Sequence, residues 1–375
     1  MNRRRIGTMV AAAGLSSLLC TVTATPAQAD TPASWESRAL GLSSAQRTTQ
    51  GEGIKVAVLD SGVEKDHPAL AGKVTTGPDF LKDGLQPGDP RWGGHGTAMA
   101  SDVLKVAPKA DILSVRVIDD KKDHDLEFKN GPSPVAQGIE YAVDHGADVI
   151  SMSLGGDSFG SSFNEDETKA LAHAAYKGVT VVASAGNDGD VFNDSSYPAG
   201  YPGVIAVAAV KQGGSRAGFS TVRTYNTVAA PGVGIVSAKN TGGYEPVNGT
   251  SPAAALTSGV VALILGKDKD LKPSQVRAIL TKTAAHPPGG YSPLVGHGVI
   301  NAAAAVRAVS KPPTDGAAPA EYRGKSHLAS PTGEKATQHP PMDTTLLTIG
   351  LSAAGAGLLM VAGAIIVTRT GRRRA

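Results

Sequence analysis

Asp60, His95 and Ser251 each stand in a short motif bordered by glycine: Val56-Ala57-Val58-Leu59-Asp60-Ser61-Gly62, Gly94-His95-Gly96-Thr97-Ala98-Met99-Ala100-Ser101 and Asn248-Gly249-Thr250-Ser251-Pro252-Ala253-Ala254. A serine hydroxyl becomes a nucleophile when a base within hydrogen-bond reach takes its proton and a carboxylate holds that base in the right tautomer. The three residues supply those groups, and the chemistry would be acyl transfer. Taken singly, each has a plainer reading: the Asp as a turn or cap after a strand, the His as part of an exposed glycine loop, the Ser as a helix N-cap. Other chemistries have less support. The one cysteine, Cys20, lies near the N-terminus. His67 falls in a turn and His145 and His173 on expected helices, where solvated or capping roles fit. Asp119, Asp120, Asp123 and Asp125 cluster with Lys121 and Lys122, a pattern open to a calcium site but better fitted by a solvated charged loop. No cofactor is implied.

The elements that must position the three residues lie between positions 50 and 310. Short β-branched runs alternate with helical patterns there, the arrangement of an α/β domain with a parallel sheet flanked by helices. The expected strands are Lys55–Asp60, Asp111–Val117, Val149–Ser153, Val179–Ser184 and Val204–Ala209, several of them continuous apolar runs suited to burial on both faces. Helices are expected over Pro134–His145, with Ser133 as N-cap, and over Glu167–Lys177, each stopping at a glycine. A further helix begins at Ser251 and runs through Ala253, Leu256, Val260 and Leu263, with Pro252 at its first position. In such sheets reactive groups gather beyond the carboxyl ends of the strands, which is where Asp60 falls.

The two ends of the chain differ from this middle. The net charge of +3 comes from 36 Lys+Arg against 33 Asp+Glu; with the seven terminal arginines set aside, 29 basic groups face those 33 acids. No polybasic stripe remains, so nucleic acid is not an expected partner. Arginines 3 to 5, an apolar run and Ala27-Gln28-Ala29 make residues 1–29 a secretory signal peptide. Residues 30–49 form a short N-terminal extension, 311–343 a Pro-rich stalk and 344–368 a transmembrane helix; the basic tail 369–375 is cytoplasmic. This arrangement puts the middle of the chain outside the cell.

The motifs together resemble the subtilisin-like serine proteases. The Asp60 run followed by Asp66-His67-Pro68 is similar to that family's aspartate block, the His95 run to its histidine block, and Gly-Thr-Ser-Pro-Ala-Ala to its serine block. Ser151-Met152-Ser153-Leu154-Gly155-Gly156 resembles the substrate-binding strand, and Ala183-Ser184-Ala185-Gly186-Asn187 the segment with the oxyanion asparagine. The resemblance implies an Asp60–His95–Ser251 triad, Asn187 as an oxyanion donor and Ser153, Leu154, Gly155 and Gly156 as backbone for an extended peptide. The sequence departs from the family at Pro252, where Met or Phe is common, and at Ala255, where Pro is common.

The whole-chain plan is similar to that of the mycosins, membrane-anchored subtilisin-like proteases of type VII secretion systems. It shares a short N-terminal extension with no room for a folded pro-domain, a protease domain, a Pro-rich stalk and one C-terminal membrane helix. The resemblance implies limited proteolysis of exported proteins at the outer face of the membrane. Two alternatives share the sequence pattern: a scaffold of the secretion assembly whose active site matters little, and a broad degradative surface protease.

Overall fold

The computed structural model describes residues 34–119, 132–155, 164–312, 347–357 and 360. Seven parallel strands form one sheet: β1 (Lys55–Asp60), β2 (Val74–Asp79), β3 (Asp111–Arg116), β4 (Val149–Met152), β5 (Thr180–Ser184), β6 (Ile205–Val210) and β7 (Asn226–Pro231), in the order β2-β3-β1-β4-β5-β6-β7. An antiparallel hairpin, β8 (Ile235–Ala238) with β9 (Tyr244–Val247), follows. The sheet runs outward in both directions from β1, so the carboxyl end of β1 is a topological switch point, the place where α/β sheets open a crevice for ligands. Asp60 is the last residue of that strand.

Successive side chains of a strand point to opposite faces, and β1 shows the consequence. Val56 and Val58 enter the core on one side of the sheet; Ala57 and Leu59 enter the core on the other. The second side is covered by α4 (Pro134–Asp144) and α5 (Glu165–Lys177). Ser133 caps α4 as its sequence suggested, accepting from the Ala136 amide, and Pro134 opens the helix where no intrahelical donor is lost. Asn164 caps α5 by accepting from the Asp166 and Glu167 amides, which moves that helix start to Glu165.

The first side holds α3 (Gly94–Val106), α6 (Thr250–Lys267), α7 (Pro273–Thr283) and α8 (Ala302–Ala308). Helix α6 is apolar all round and buried, as a helix enclosed by sheet and neighbours must be. It is long and apolar enough to cross a membrane, yet 83% of it is buried inside the domain, so it is a core helix. Gly259 lets α6 approach α3: a Cβ there would stand 2.6 Å from Val106 Cβ and 2.8 Å from the Val103 carbonyl oxygen. That approach sets the helix that begins beside Ser251 against the helix that begins beside His95.

The core also recruits residues before position 50. Leu40, Leu42 and Ala45, on α1 (Trp35–Leu40) and α2 (Leu42–Gln46), lie in the same apolar cluster as Val56 and Leu256. Each of the two leucines contributes roughly 1.5–3 kcal/mol when fully buried. A buried polar joint ties α1 to α3: Lys105 Nζ donates to Glu36 Oε1 at 3.2 Å and lies 3.4 Å from Asp102 Oδ1, while Ser237 Oγ of β8 donates to Asp102 at 2.8 and 3.0 Å.

Two carboxylates thus share one lysine. Burial pushes the Asp102 carboxyl up to about 7, with Glu36 adding to the rise while Lys105 and Ser237 oppose it. The ordinary value in an unfolded chain is about 3.9. The stabilising contribution is therefore fully present below about pH 4 and is lost as pH rises through about 7. Asp102→Asn, which keeps an acceptor for Ser237, is expected to be more stable than the wild type at pH 8 and to lose less stability between pH 5 and pH 8. Urea melts of both proteins at the two pH values measure this, and identical pH dependence would refute it.

Near the C-terminus, the described residues form an apolar helix over Leu347–Gly357, with Leu347, Ile349 and Leu351 exposed. The rest of the expected membrane span and the expected signal peptide lie outside the described residues, as do Asp120, Asp123, Asp125, Lys121 and Lys122.

Candidate active site

Asp60 and His95 are brought together across 35 positions of sequence. His95 Nδ1 is 2.8 Å from Asp60 Oδ1 and 3.0 Å from Oδ2. Asp60 is fully buried and also accepts from the Ser61 amide at 2.7 Å, whereas the His95 side chain is 31% exposed. A buried carboxylate holding one imidazole nitrogen, with the ring reaching solvent, is the geometry that orients a base. His95 is not in a loop, contrary to the plainer reading; it is the second residue of α3.

Ser251 is the second residue of α6, with Gly249 as N-cap, so the helix begins two residues before Pro252, which is its third residue rather than its first. The third position also has no intrahelical acceptor for its amide, so proline removes no helical hydrogen bond there. Ser251 Oγ donates to the Ser153 carbonyl at 3.3 Å, and Ser153 Oγ donates to the Ser251 carbonyl at 2.9 Å. This reciprocal pair ties the helix start to the segment after β4. The partial positive charge at a helix N-terminus favours a developing oxyanion beside it.

Asn187 follows β5 and is anchored by its oxygen: Oδ1 accepts from the Thr250 amide at 2.8 Å and from Thr250 Oγ1 at 3.0 Å. Thr250 Oγ1 in turn accepts from the Gly186 amide at 3.2 Å. With Oδ1 spent on Thr250, the Asn187 NH₂ group has no hydrogen-bond partner among the described residues. Thr250 was visible only as part of the serine motif; its hold on Asn187 depends on a contact across 63 positions. Ser153 and Leu154 are buried, and Ser184 Oγ donates to the Leu154 carbonyl at 3.3 Å, so Ser153, Leu154 and Gly155 run beside the segment leading to Asn187. Gly156 lies outside the described residues.

The three other histidines of the sequence reading have local partners. His67 is buried rather than solvated: Nε2 is 3.0 Å from the Gly243 carbonyl oxygen, and Nδ1 accepts from the Ala69 amide. His145 is the C-cap of α4 and stacks on Tyr141, and His173 pairs with Glu140 across α4 and α5.

A parallel sheet with its switch point at Asp60, an Asp–His pair there and a serine at the head of the central helix define a serine hydrolase of the subtilisin type. The chain belongs to the subtilase family, which residues 51–310 match, and it is a serine endopeptidase. It is 38% identical to thermitase of Thermoactinomyces vulgaris over 245 residues, covering 63% of this chain and 82% of the relative. It is 36% identical to subtilisin DY of Bacillus licheniformis over 269 residues, covering 69% and 92%. The solved MycP3 protease from the type VII (ESX-3) secretion system superposes with a TM-score of 0.63 at 31% identity, covering 73% of this chain and 88% of that one.

Proposed function

We propose that this endopeptidase is anchored to the membrane by its C-terminal apolar segment, faces the outside of the cell and cleaves exported proteins in association with a type VII secretion system. Asp60 orients His95, His95 takes the proton of Ser251, and Ser251 Oγ attacks the peptide carbonyl. The resulting oxyanion is held by the Ser251 amide and the Asn187 NH₂ group. His95 then gives its proton to the leaving amine, and water hydrolyses the acyl enzyme by the same base. Imidazolium cannot act as the base, so activity falls as His95 protonates on acidification.

The observation that carries the chemistry is the Asp60–His95 hydrogen bond at the sheet's switch point. Likeness to MycP3 supports the secretion context, and the apolar run from Leu346 to Val367 followed by Arg369, Arg372, Arg373 and Arg374 supports the anchor. The test has two arms. N-terminal mapping of exported proteins from cells with wild-type protein and with Ser251→Ala is expected to reveal cleavage products that vanish in the variant. Deleting residues 346–375 is expected to release active enzyme into the medium. Unchanged exported N-termini would overturn the processing role, and a truncated protein still firmly bound to membranes would overturn the anchor.

A further inference from the structure

Asn187 is exposed, so packing does little to fix the direction in which its NH₂ group points. Thr250 holds the side chain at Oδ1. The backbone on either side of Asn187 is held by a single residue from a different loop. The Thr221 amide donates to the Gly186 carbonyl at 3.0 Å, and Thr221 Oγ1 donates to Asp188 Oδ1 at 2.7 Å. One threonine, 33 positions beyond Asp188, thus grips both the residue before Asn187 and the residue after it.

The surroundings leave that grip little play. Thr221 is fully buried, in the connection between β6 and β7. Gly186 has a φ of +109°, and a Cβ there would stand 2.7 Å from Thr221 Oγ1, so no side chain fits between the two. The second oxygen of Asp188, Oδ2, accepts from the Asp194 amide at 2.6 Å, and the Gly189 amide donates to the Phe219 carbonyl at 2.8 Å. Both oxygens of the Asp188 carboxylate are engaged, and residues 186–189 cannot shift without breaking a bond to residues 219–221. A hydroxyl bound to a carboxylate is a stronger tie than a bond between neutral groups. Such precision matters at this point of the chain, because a group that acts on a reacting atom has to be held within about 0.5 Å of its productive place.

We propose that Thr221 is a positioning residue for the oxyanion donor: by gripping residues 186 and 188 it aims the Asn187 NH₂ group at the oxyanion, without itself touching substrate. This inference rests on the proposed roles of Ser251 and Asn187. A Thr221 that served only to stabilise the loop would, when replaced, lower stability and leave turnover per active site unchanged.

The experiment uses the full-length protein and a quenched-fluorescence peptide, with active sites counted by end-point fluorophosphonate labelling and stability followed by urea melts. Thr221→Val keeps the shape and the amide but removes the hydroxyl. It is expected to lower kcat by about tenfold, the worth of one hydrogen bond to a charged group, with KM changed by less than about twofold. Thr221→Ser, which restores a hydroxyl, should recover kcat to within about threefold of wild type. Asp188→Ala removes the other half of the bond at a half-buried position and should reproduce the Thr221→Val loss, which keeps the test open if the valine variant does not fold. The deciding arm repeats the substitutions in Asn187→Ala. With no donor left to aim, Thr221→Val and Asp188→Ala should then each lower kcat by less than about twofold. Variants that lose stability but keep wild-type kcat, or that lower kcat equally in both backgrounds, overturn the positioning role and leave Asn187 as the donor. An Asn187→Ala enzyme with wild-type turnover overturns the donor reading itself, and the inference with it.

Discussion

Replacing Ser251 by alanine is expected to lower peptide turnover by about 10⁶-fold while the fold persists, because the nucleophile and its base act as a unit and loss of either removes nearly the whole covalent route. Only Oγ is deleted. The backbone carbonyl of residue 251 remains available to Ser153 Oγ, at 2.9 Å in the native enzyme, so the head of α6 keeps its tie to the segment after β4. Residual hydrolysis, well above that in water, should survive through the oxyanion donors and substrate binding alone. Stopped assays on purified protein, with circular dichroism as the check on folding, measure both statements. A variant within tenfold of wild-type turnover would place the nucleophile elsewhere.

Asn187→Ala is expected to reduce turnover by about 10²- to 10³-fold, or ~2.7–4 kcal/mol of transition-state stabilisation, with KM little changed. The pattern follows from when the interaction is made: a donor aimed at developing charge contributes in the transition state more than in the bound substrate. The alternative reading, a turn in Asn187-Asp188-Gly189, predicts the opposite pattern. Loss of the bonds from Thr250 to Asn187 Oδ1 would then show as reduced stability with turnover nearly intact. Asn187→Asp separates the two further. It retains an acceptor for Thr250 but sets an anion where an oxyanion must form, so it should be at least as inactive as the alanine variant while melting closer to wild type.

The proposed reacting groups were legible in the chain because each is embedded in a local motif. Asp60 ends a run of apolar residues, His95 lies between glycines, and Ser251 follows Gly-Thr. Strands β1, β4 and β5 were legible for a related reason: central parallel strands are buried on both faces, so their sequences are continuous apolar runs that need no partner to be recognised. The two edge strands lacked that signal. β2 reads Val-Thr-Thr-Gly-Pro-Asp and is half exposed, while β7 ends in Pro231, a residue tolerated where no neighbouring strand requires its amide.

What only the tertiary structure decided are contacts between residues far apart in sequence. The glycine-flanked start of α3 carries no strong helix signal, yet His95 is a helical residue, and Gly96 beside it packs so closely on the end of β1 that a Cβ there would stand 2.0 Å from the Gly62 carbonyl oxygen. Glu36, Asp102, Lys105 and Ser237 look like unrelated surface polar residues until three elements bury them together. Ser196 is one serine in a polar loop; only the fold buries its hydroxyl, which has no hydrogen-bond partner among the described residues, and brings the Tyr225 hydroxyl to its amide. Motif chemistry is written in neighbouring residues because backbone geometry at a strand end or helix start is local. Burial and desolvation depend on which distant segments the fold stacks around a side chain, and that information exists only once the sheet has assembled.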